Sequence, residues 1–390
     1  MRLWFSYGGK NRLVLEELVQ GFNTSQSDVF VHAVFQGDYY EALAKLRVAM
    51  AARSAPSVSH VVGEVVPYLS EAQVLADFGA YRLANASDVL PALGQSGSFV
   101  DGDRQPLVAL PFNRSTPIAY LNGDVFRRAG LSAPKTWEEL RETARALTER
   151  RGDRTLRYGF GCPIDWWFWA ALVGQAGGEL AAPDGTITLG GEQGLEALEL
   201  WRALVVNDGS MKPPPGRDYN AWEQTNQDFL AGRVAMIWTS TAFLQYLEEN
   251  ARFELIAAPL PKHVRYSVPS GGTHWVLPAS GKSEEQKAAA RFVDYMLSPE
   301  AAAAFASRTG YIPVTRGAVE RLERTGFFAR RPNFRVAMAQ LEHARPWPWS
   351  PLLFRVQREI VQPRLERAIF AAGDARALLA DARALARRVD

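Results

Sequence analysis

Apolar positions near the N-terminus change their period at regular intervals. Residues 2–6 alternate as a short strand, and residues 11–23 place Leu13, Leu15, Leu18, Val19 and Phe22 on one broad helical face. "VFVHAVF" (29–35) predicts the next strand, "DYYEALAKLRVAMAA" (38–52) a helix begun by Asp38, and "SVSHVVGE" (57–64) a third strand. Strands alternating with helices at this spacing predict a parallel sheet with crossover helices. Small ligands of such sheets bind at the carboxyl ends of the strands. Tyr39 lies just past one predicted strand and Glu64 at the end of another.

The pattern breaks at "LPFNRSTPIAYLNGDVFRRAGL" (110–131). Two apolar runs, Leu107–Leu110 and Pro117–Leu121, predict short buried strands separated by a polar knot of Asn113, Arg114, Ser115 and Thr116. From the residues alone, Ser115 and Thr116 satisfy a turn. Longer helices follow. "SAPKTWEELRETARALTERR" opens with a capping box from Thr136 to Glu139 and has Trp137 in its first turn. Residues 192–209 predict a helix, "MKPPPGRDYNAW" a proline-rich loop, and Val234–Trp238 a strand. "FELIAAPLP" and "GGTHWVLPA" predict further strands, followed by a helix from Ser283 to about Leu297. Ser298 caps the next helix, with Pro299 at its first position. The remainder after "TGYIPVTRGAV" reads as mostly helical.

Length changes this picture by favouring two or more lobes, since 390 residues exceed what one core usually serves. A net charge of +2 gives no broad electrostatic footprint for nucleic acid or membrane. No apolar run approaches the roughly 20 residues needed to cross a bilayer. The N-terminal "MRLWFSYGGKNRLVLEELV" lacks the basic start, apolar stretch and cleavage site of a signal peptide. The expectation is a cytoplasmic chain, or one whose leader has been removed.

Cys162 is the only cysteine, which excludes an intrachain disulfide and a CxxC metal cage. Phosphate-loop, dinucleotide-fingerprint, HExxH and GxSxG patterns are absent. The histidines at 32, 60, 263, 274 and 343 lack metal-ligand spacing and read as structural. Plentiful carboxylates leave an Asp/Glu hydrolase as the enzymatic alternative. Eleven tryptophans are many for this length, and such residues line sites for sugars and small polar ligands as well as cores.

Four stretches carry a more specific message: "GDYYEALAKLRVAMAARSAP" (37–56), "LPFNRSTPIAYLNGDVFRRAGLSAPKTWEEL" (110–140), "DFLAGRVAMIWTSTAFL" (228–244) and "FASRTGYIPVTRGAV" (305–319). In this order the chain resembles extracellular solute-binding family 1 of the ABC importers, and within it the members that bind glycerol 3-phosphate. The resemblance implies an α/β, two-lobe periplasmic-binding-protein fold of the type II, maltose-binding-protein-like class, with a hinge between lobes. It implies one lobe of residues 1–113 plus 255–313 and another of 114–254 plus 314–390, the polar knot being a crossing. It also implies a binder without cofactor, metal or catalytic residue. The ligand would be glycerol 3-phosphate or a glycerophosphodiester such as glycerophosphocholine, held in the interlobe cleft and delivered to a membrane permease. The expected molecule is a monomer with no nucleic-acid partner, periplasmic or extracellular, with or without a lipid anchor.

Residue by residue, the resemblance implies a ligand shell of Tyr39, Glu64, Ser115, Trp137, Ser240, Gly272, Tyr311 and Arg358, with Trp166 as a further cleft residue. An anionic head wants Arg, Ser and Tyr donors and the backbone of "SGGTH"; a hydroxylated tail wants an acceptor, Glu64, and an aromatic floor, Trp137. The sequence departs from the family pattern at "ARPWPWSPLLFRVQREIV", where Arg355 rivals Arg358, and at "CPIDWWFWAAL" around Trp166. The alternative ligand is an oligosaccharide, with Trp137, Trp166, Trp238 and Trp275 stacking on sugar faces.

Overall fold

The computed structural model describes the chain except residues 7–8, 95–96, 98–104, 183–184, 217, 372 and 390. It divides into two units: residues 1–115, 270–331 and 349–351, and residues 116–269, 332–348 and 352–390.

The first unit is built on a sheet of β1 (Arg2–Phe5), β2 (His32–Phe35), β3 (Val58–Val62), β4 (Leu110–Ser115) and β12 (Gly271–Val276). Its order is β2-β1-β3-β12-β4. β1 pairs in parallel with β2 and β3 through the crossover helices Gly9–Ser25 and Tyr39–Ala51, while β12 runs antiparallel to both β3 and β4. The sheet is therefore mixed rather than parallel throughout, because two of its strands arrive from distant parts of the chain. Asp38 starts helix Tyr39–Ala51 with a complete capping box: its carboxylate accepts from the Tyr40 and Glu41 amides, and Glu41 accepts from the Asp38 amide. Under the sheet, Phe112 stacks on Trp275 with centroids 4.1 Å apart, and Phe22 meets Phe292 edge-on at 5.3 Å. Each such pair adds about 0.5–1.5 kcal/mol beyond the area it buries.

The polar knot differs from its expected form. Asn113, Arg114 and Ser115 are not a turn but the last residues of β4, and all are buried. Their backbone is held by β12, with Gly271 opposite Ser115 and Gly272 opposite Arg114, so pairing with a distant strand outweighs local turn preference. Thr116 alone separates β4 from β5.

The second unit contains β5 (Pro117–Asn122), β6 (Glu149–Arg151), β7 (Arg154–Gly161), β8 (Met211–Lys212), β9 (Val234–Ser240) and β10 (Leu255–Ala258), ordered β10-β5-β9-β7-β6 with β8 on β7. A short parallel pair joins β11 (Val268–Pro269) to β13 (Ala344–Arg345). Leu255–Ala258 was expected in the lobe that begins the chain, but it pairs with β5, with Leu255 opposite Asn122, and stays in the second unit. Conversely, residues 314–331 stay in the first unit, where Thr315 bridges Val89 and the Gly317 amide donates to Asp88 at 2.7 Å.

The second core gathers around helix Trp166–Gln175, with Trp169, Trp201 and Trp238 fully enclosed. Thr136 caps helix Trp137–Leu147 by accepting from the Glu139 amide at 3.2 Å. The reciprocal half of the expected box is displaced: Glu139 accepts from the Lys135 amide, one residue before the cap.

Candidate functional site

In the first unit, sequence-distant residues converge where β4 bulges against β12, Phe112 and Asn113 together facing Thr273. The register shifts between Gly272 and His274. Gly272 adopts φ +90°, and a Cβ there would lie 1.8 Å from the Asn113 carbonyl oxygen, so only glycine fits. The bulge takes the Thr273 amide out of the ladder. The Asn113 side chain satisfies it, accepting at 2.9 Å, and also accepts from the Thr273 hydroxyl. Asn113 then donates to the Tyr39 hydroxyl at 2.9 Å, and Tyr39 lies 3.3 Å from the Tyr311 hydroxyl.

Tyr39 and Tyr311 reach this point by different routes. Tyr39 is the first residue of its capped helix. Tyr311 follows helix Pro299–Thr309, which ends on a left-handed Gly310; it stacks on Phe305 at 5.5 Å, and the next residue's amide donates to the Arg114 carbonyl at 2.8 Å. Behind them, His60 Nδ1 lies 2.8 Å from the Thr273 hydroxyl, and burial pushes the imidazole pKa down to about 3, so the ring is neutral.

Arg114 is a wholly buried cation beside this network. It donates to the Gly272 carbonyl at 2.9 Å and the Ser270 hydroxyl at 2.7 Å. Burial lowers its pKa to about 10, opposed by the charges of Glu64 and Tyr39. Glu64 sits in the helical turn Gly63–Val65 that ends β3, within electrostatic reach of that guanidinium. Ser115 is 5% exposed, and its hydroxyl makes no hydrogen bond to a described residue. The structure thus brings Tyr39, Glu64, Ser115, Gly272 and Tyr311 to one neighbourhood of the first unit.

The second unit treats its expected residues less evenly. Trp137 is 6% exposed; His263 covers one face at 4.5 Å and 13°, and its indole N–H donates to Gln175 at 2.7 Å. Those contacts occupy one ring face and the indole N–H. Trp166 opens helix Trp166–Gln175, stacks on Trp347 at 4.9 Å, and its amide donates to Gln362 at 3.0 Å. Gln175, the partner of Trp137, closes the ten-residue helix that Trp166 opens, roughly 13 Å along its axis at about 1.5 Å per residue. Trp238 and Trp275 are fully buried and have no face to offer a sugar, which removes both from the oligosaccharide set.

Ser240 ends β9, and its hydroxyl accepts from the Ala242 amide at 3.1 Å, which leaves its proton to donate. Arg358 lies within the wide π-type turn Val356–Val361, four residues before Gln362, whose side chain accepts from the Trp166 amide. Arg355 lies 3.8 Å from Glu359 and is half-exposed. Elsewhere in this unit, Glu179, Arg265, Arg345 and Trp347 line a hollow, but Arg265 is already committed to Glu179 and the Gly174 carbonyl.

Sequence reasoning missed His60, Asn113, Arg114 and Thr273. Their signal was polar side chains inside otherwise apolar strand stretches, "VSHVV", "LPFNRS" and "GGTHWV". Among the described residues, no group of three or more His, Cys, Asp or Glu side chains is placed to hold a metal, and no helix is long and apolar enough to cross a membrane. Burial drives the Cys162 thiol pKa well up, which keeps it unreactive.

The chain matches the family described as bacterial extracellular solute-binding protein over residues 17–336. It is 27% identical over 371 residues to the sn-glycerol-3-phosphate-binding periplasmic protein UgpB of Yersinia enterocolitica, covering 89% of this chain and 81% of that protein. The Escherichia coli UgpB is 25% identical over 371 residues, with the same coverage of 89% and 81%. Among solved structures, UgpB from Mycobacterium tuberculosis in complex with glycerophosphocholine matches with TM-score 0.87 and 24% identity, over 99% of this chain and 98% of that one. The GacH receptor of Streptomyces glaucescens, solved unliganded and with acarbose, matches with TM-score 0.86 and 21% identity, over 99% and 97%. These likenesses confirm the α/β fold of maltose-binding-protein-like substrate-binding proteins.

Proposed function

This chain belongs to the bacterial extracellular solute-binding proteins, the ligand-capturing components of ABC importers rather than enzymes, and on that premise we propose that it binds glycerol 3-phosphate or a glycerophosphodiester such as glycerophosphocholine. The contacts we assign are Tyr39, Glu64, Ser115, Gly272 and Tyr311 from the first unit, and Trp166, Ser240 and Arg358 from the second. Trp137 is left to packing. The protein acts as a monomer outside the cytoplasm and hands its ligand to the permease, whether tethered by lipid or free.

The observation that carries this reading is the pair of hydroxyls at the β4 bulge, where Tyr39 and Tyr311 meet beside Asn113, with Ser115 two residues further along β4 and the buried Arg114 cation within electrostatic reach of Tyr39. Hydroxyl donors backed by an enclosed positive charge suit a phosphate, whose oxygens only accept. The names of the Yersinia and Escherichia relatives and the ligand of the Mycobacterium protein support the same class. One observation favours a second reading. Trp166 and Trp347 stack on each other at 21° and are each 8% exposed, which leaves an aromatic edge for a sugar, and GacH binds acarbose.

Calorimetric titration of the whole chain with glycerol 3-phosphate, glycerophosphocholine, maltose and trehalose separates the two. Micromolar or tighter binding of a phosphate ligand, with sugars at least a hundredfold weaker, is the expected result. A preference for either sugar overturns the assignment in favour of the second reading.

A further inference from the structure

The hydrogen bonds behind Tyr39 have only one consistent direction. At the inner end, the Ser6 backbone amide donates to His60 Nε2 at 3.1 Å. A backbone amide can only donate, so Nε2 holds a lone pair and the ring proton sits on Nδ1. Nδ1–H therefore donates to the Thr273 hydroxyl, 2.8 Å away. That hydroxyl passes its own proton to Asn113 Oδ1.

A second, independent anchor gives the same polarity. The Thr273 backbone amide donates to Asn113 Oδ1 at 2.9 Å, which fixes which end of the Asn113 amide is oxygen. The nitrogen end must then face Tyr39, donating at 2.9 Å. The Tyr39 oxygen is an acceptor towards Asn113, and its proton points the other way. His60, Asn113 and Thr273 are all at least nine-tenths buried, so bulk water does not scramble this order.

We propose that Asn113 is a specificity-determining positioning residue: through the chain Ser6–His60–Thr273–Asn113 it holds the Tyr39 hydroxyl, and with it Tyr311, as a donor directed away from the core, favouring ligand groups that only accept hydrogen bonds. This rests on the assignment of Tyr39 and Tyr311 as ligand contacts. An ionised phosphate oxygen accepts and never donates, whereas a sugar hydroxyl does both. With Asn113 donating to Tyr39 and one hydroxyl proton shared between the two tyrosines, the pair keeps one proton directed outward, which discriminates in favour of phosphate. Replacing Asn113 with aspartate keeps the shape but turns the donor facing Tyr39 into an acceptor. Tyr39 then donates inward and presents lone pairs outward.

The test has two arms, both on the whole chain. Nitrogen-15 NMR of histidine-labelled protein, with His60→Gln for assignment, reads the tautomer directly and requires no ligand. The Nδ1–H form at neutral pH is expected; an Nε2–H or imidazolium form overturns the proposal. The second arm is calorimetry of Asn113→Asp with glycerol 3-phosphate and maltose, repeated in the Tyr39→Phe background. The expected result is a tenfold or larger loss for glycerol 3-phosphate, less than threefold for maltose, and less than threefold for glycerol 3-phosphate once Tyr39 is phenylalanine. An equal loss for both ligands, or an undiminished loss in the Tyr39→Phe background, shows that charge or misfolding rather than hydroxyl polarity is at work and overturns it. If the wild-type protein binds neither glycerol 3-phosphate nor glycerophosphocholine, the ligand assignment falls, and the tautomer alone decides the polarity.

Discussion

In the first unit, Asn113 and Thr273 direct their donors along one line to Tyr39, whereas in the second Trp137 has its indole N–H on Gln175 and one face under His263. Both regions hold residue types that bind small polar ligands. What separates them is how much of each side chain its own neighbours use. A tyrosine whose oxygen accepts from inside has its own proton directed away from that donor. A tryptophan with its N–H satisfied and a ring stacked has only a sliver of surface left. Chemical type nominates a residue; the direction of its existing bonds decides what it can offer.

The strongest way to break this comparison is Trp137→Ala. If Trp137 is packing, the variant loses about 3–5 kcal/mol of unfolding free energy, as large aromatic truncations in cores do, while molecules still folded bind ligand within about twofold of wild type. Urea unfolding and calorimetry on the same preparation check both. A small stability loss with collapsed affinity would return Trp137 to the ligand.

Gly272→Ala attacks the other side. The added methyl meets the Asn113 carbonyl at 1.8 Å, and φ +90° is strained for any residue with a Cβ. A cost of about 2–3 kcal/mol is expected, together with loss of the bulge that delivers the Thr273 amide to Asn113. Denaturant unfolding gives the first, and accelerated amide exchange at Thr273 the second. A stable variant with that amide still protected would mean the bulge does not depend on glycine.

Acid should distinguish the units more gently. His60 titrates near 3 when folded but near 6.5 when unfolded, because burial opposes its charge. Below 6.5 the unfolded chain binds the extra proton, so this stability is complete above about pH 6.5 and is lost as pH falls towards 3. The loss is about 1.4 kcal/mol per pH unit, or about 2 kcal/mol by pH 5. His274 adds in the same direction through burial and the neighbouring Arg114 charge.

In the second unit the shifted groups are carboxylates. The hydrogen bond from Arg141 lowers the Asp208 pKa; burial raises that of Asp228, but bonds from Lys212 and Arg233 outweigh it. Their contribution is present above 3.8 and fades only as pH drops through the lower folded values. Hydrogen exchange, corrected for intrinsic rates, should therefore show β1, β3 and β12 losing protection between pH 7 and 5 before β5 and β9 do. Equal losses in both sheets would count against the neutral buried histidines.

Much of the fold was legible because its signals are local. The Asp38 and Ser298 caps, the helix Ser283–Met296 and the strand Val234–Ser240 are written in a few neighbouring residues each. The four family stretches carried the fold class and the binder-not-enzyme reading. Where the reading slipped, a partner far along the chain intervened. Leu255–Ala258 changed unit because β5 takes it as an edge strand, and Asn113–Ser115 became strand because β12 lies alongside.

What the sequence by itself determined is thus the order and type of elements, their caps and the family they assemble into, since periodicity and capping act over a handful of residues. Only the tertiary structure decided which polar groups meet. Positions 6, 60, 273 and 113 form one directed line because the sheet order β1-β3-β12-β4 sets the strands that carry or precede them side by side, and the start of helix Tyr39–Ala51 brings position 39 to its end. The tertiary structure also decided that Trp137, Trp238 and Trp275 are enclosed and that Gly272 is the hinge of a bulge. The physical reason is that a hydrogen bond reaches about 3 Å in space, however far apart along the chain its two partners lie.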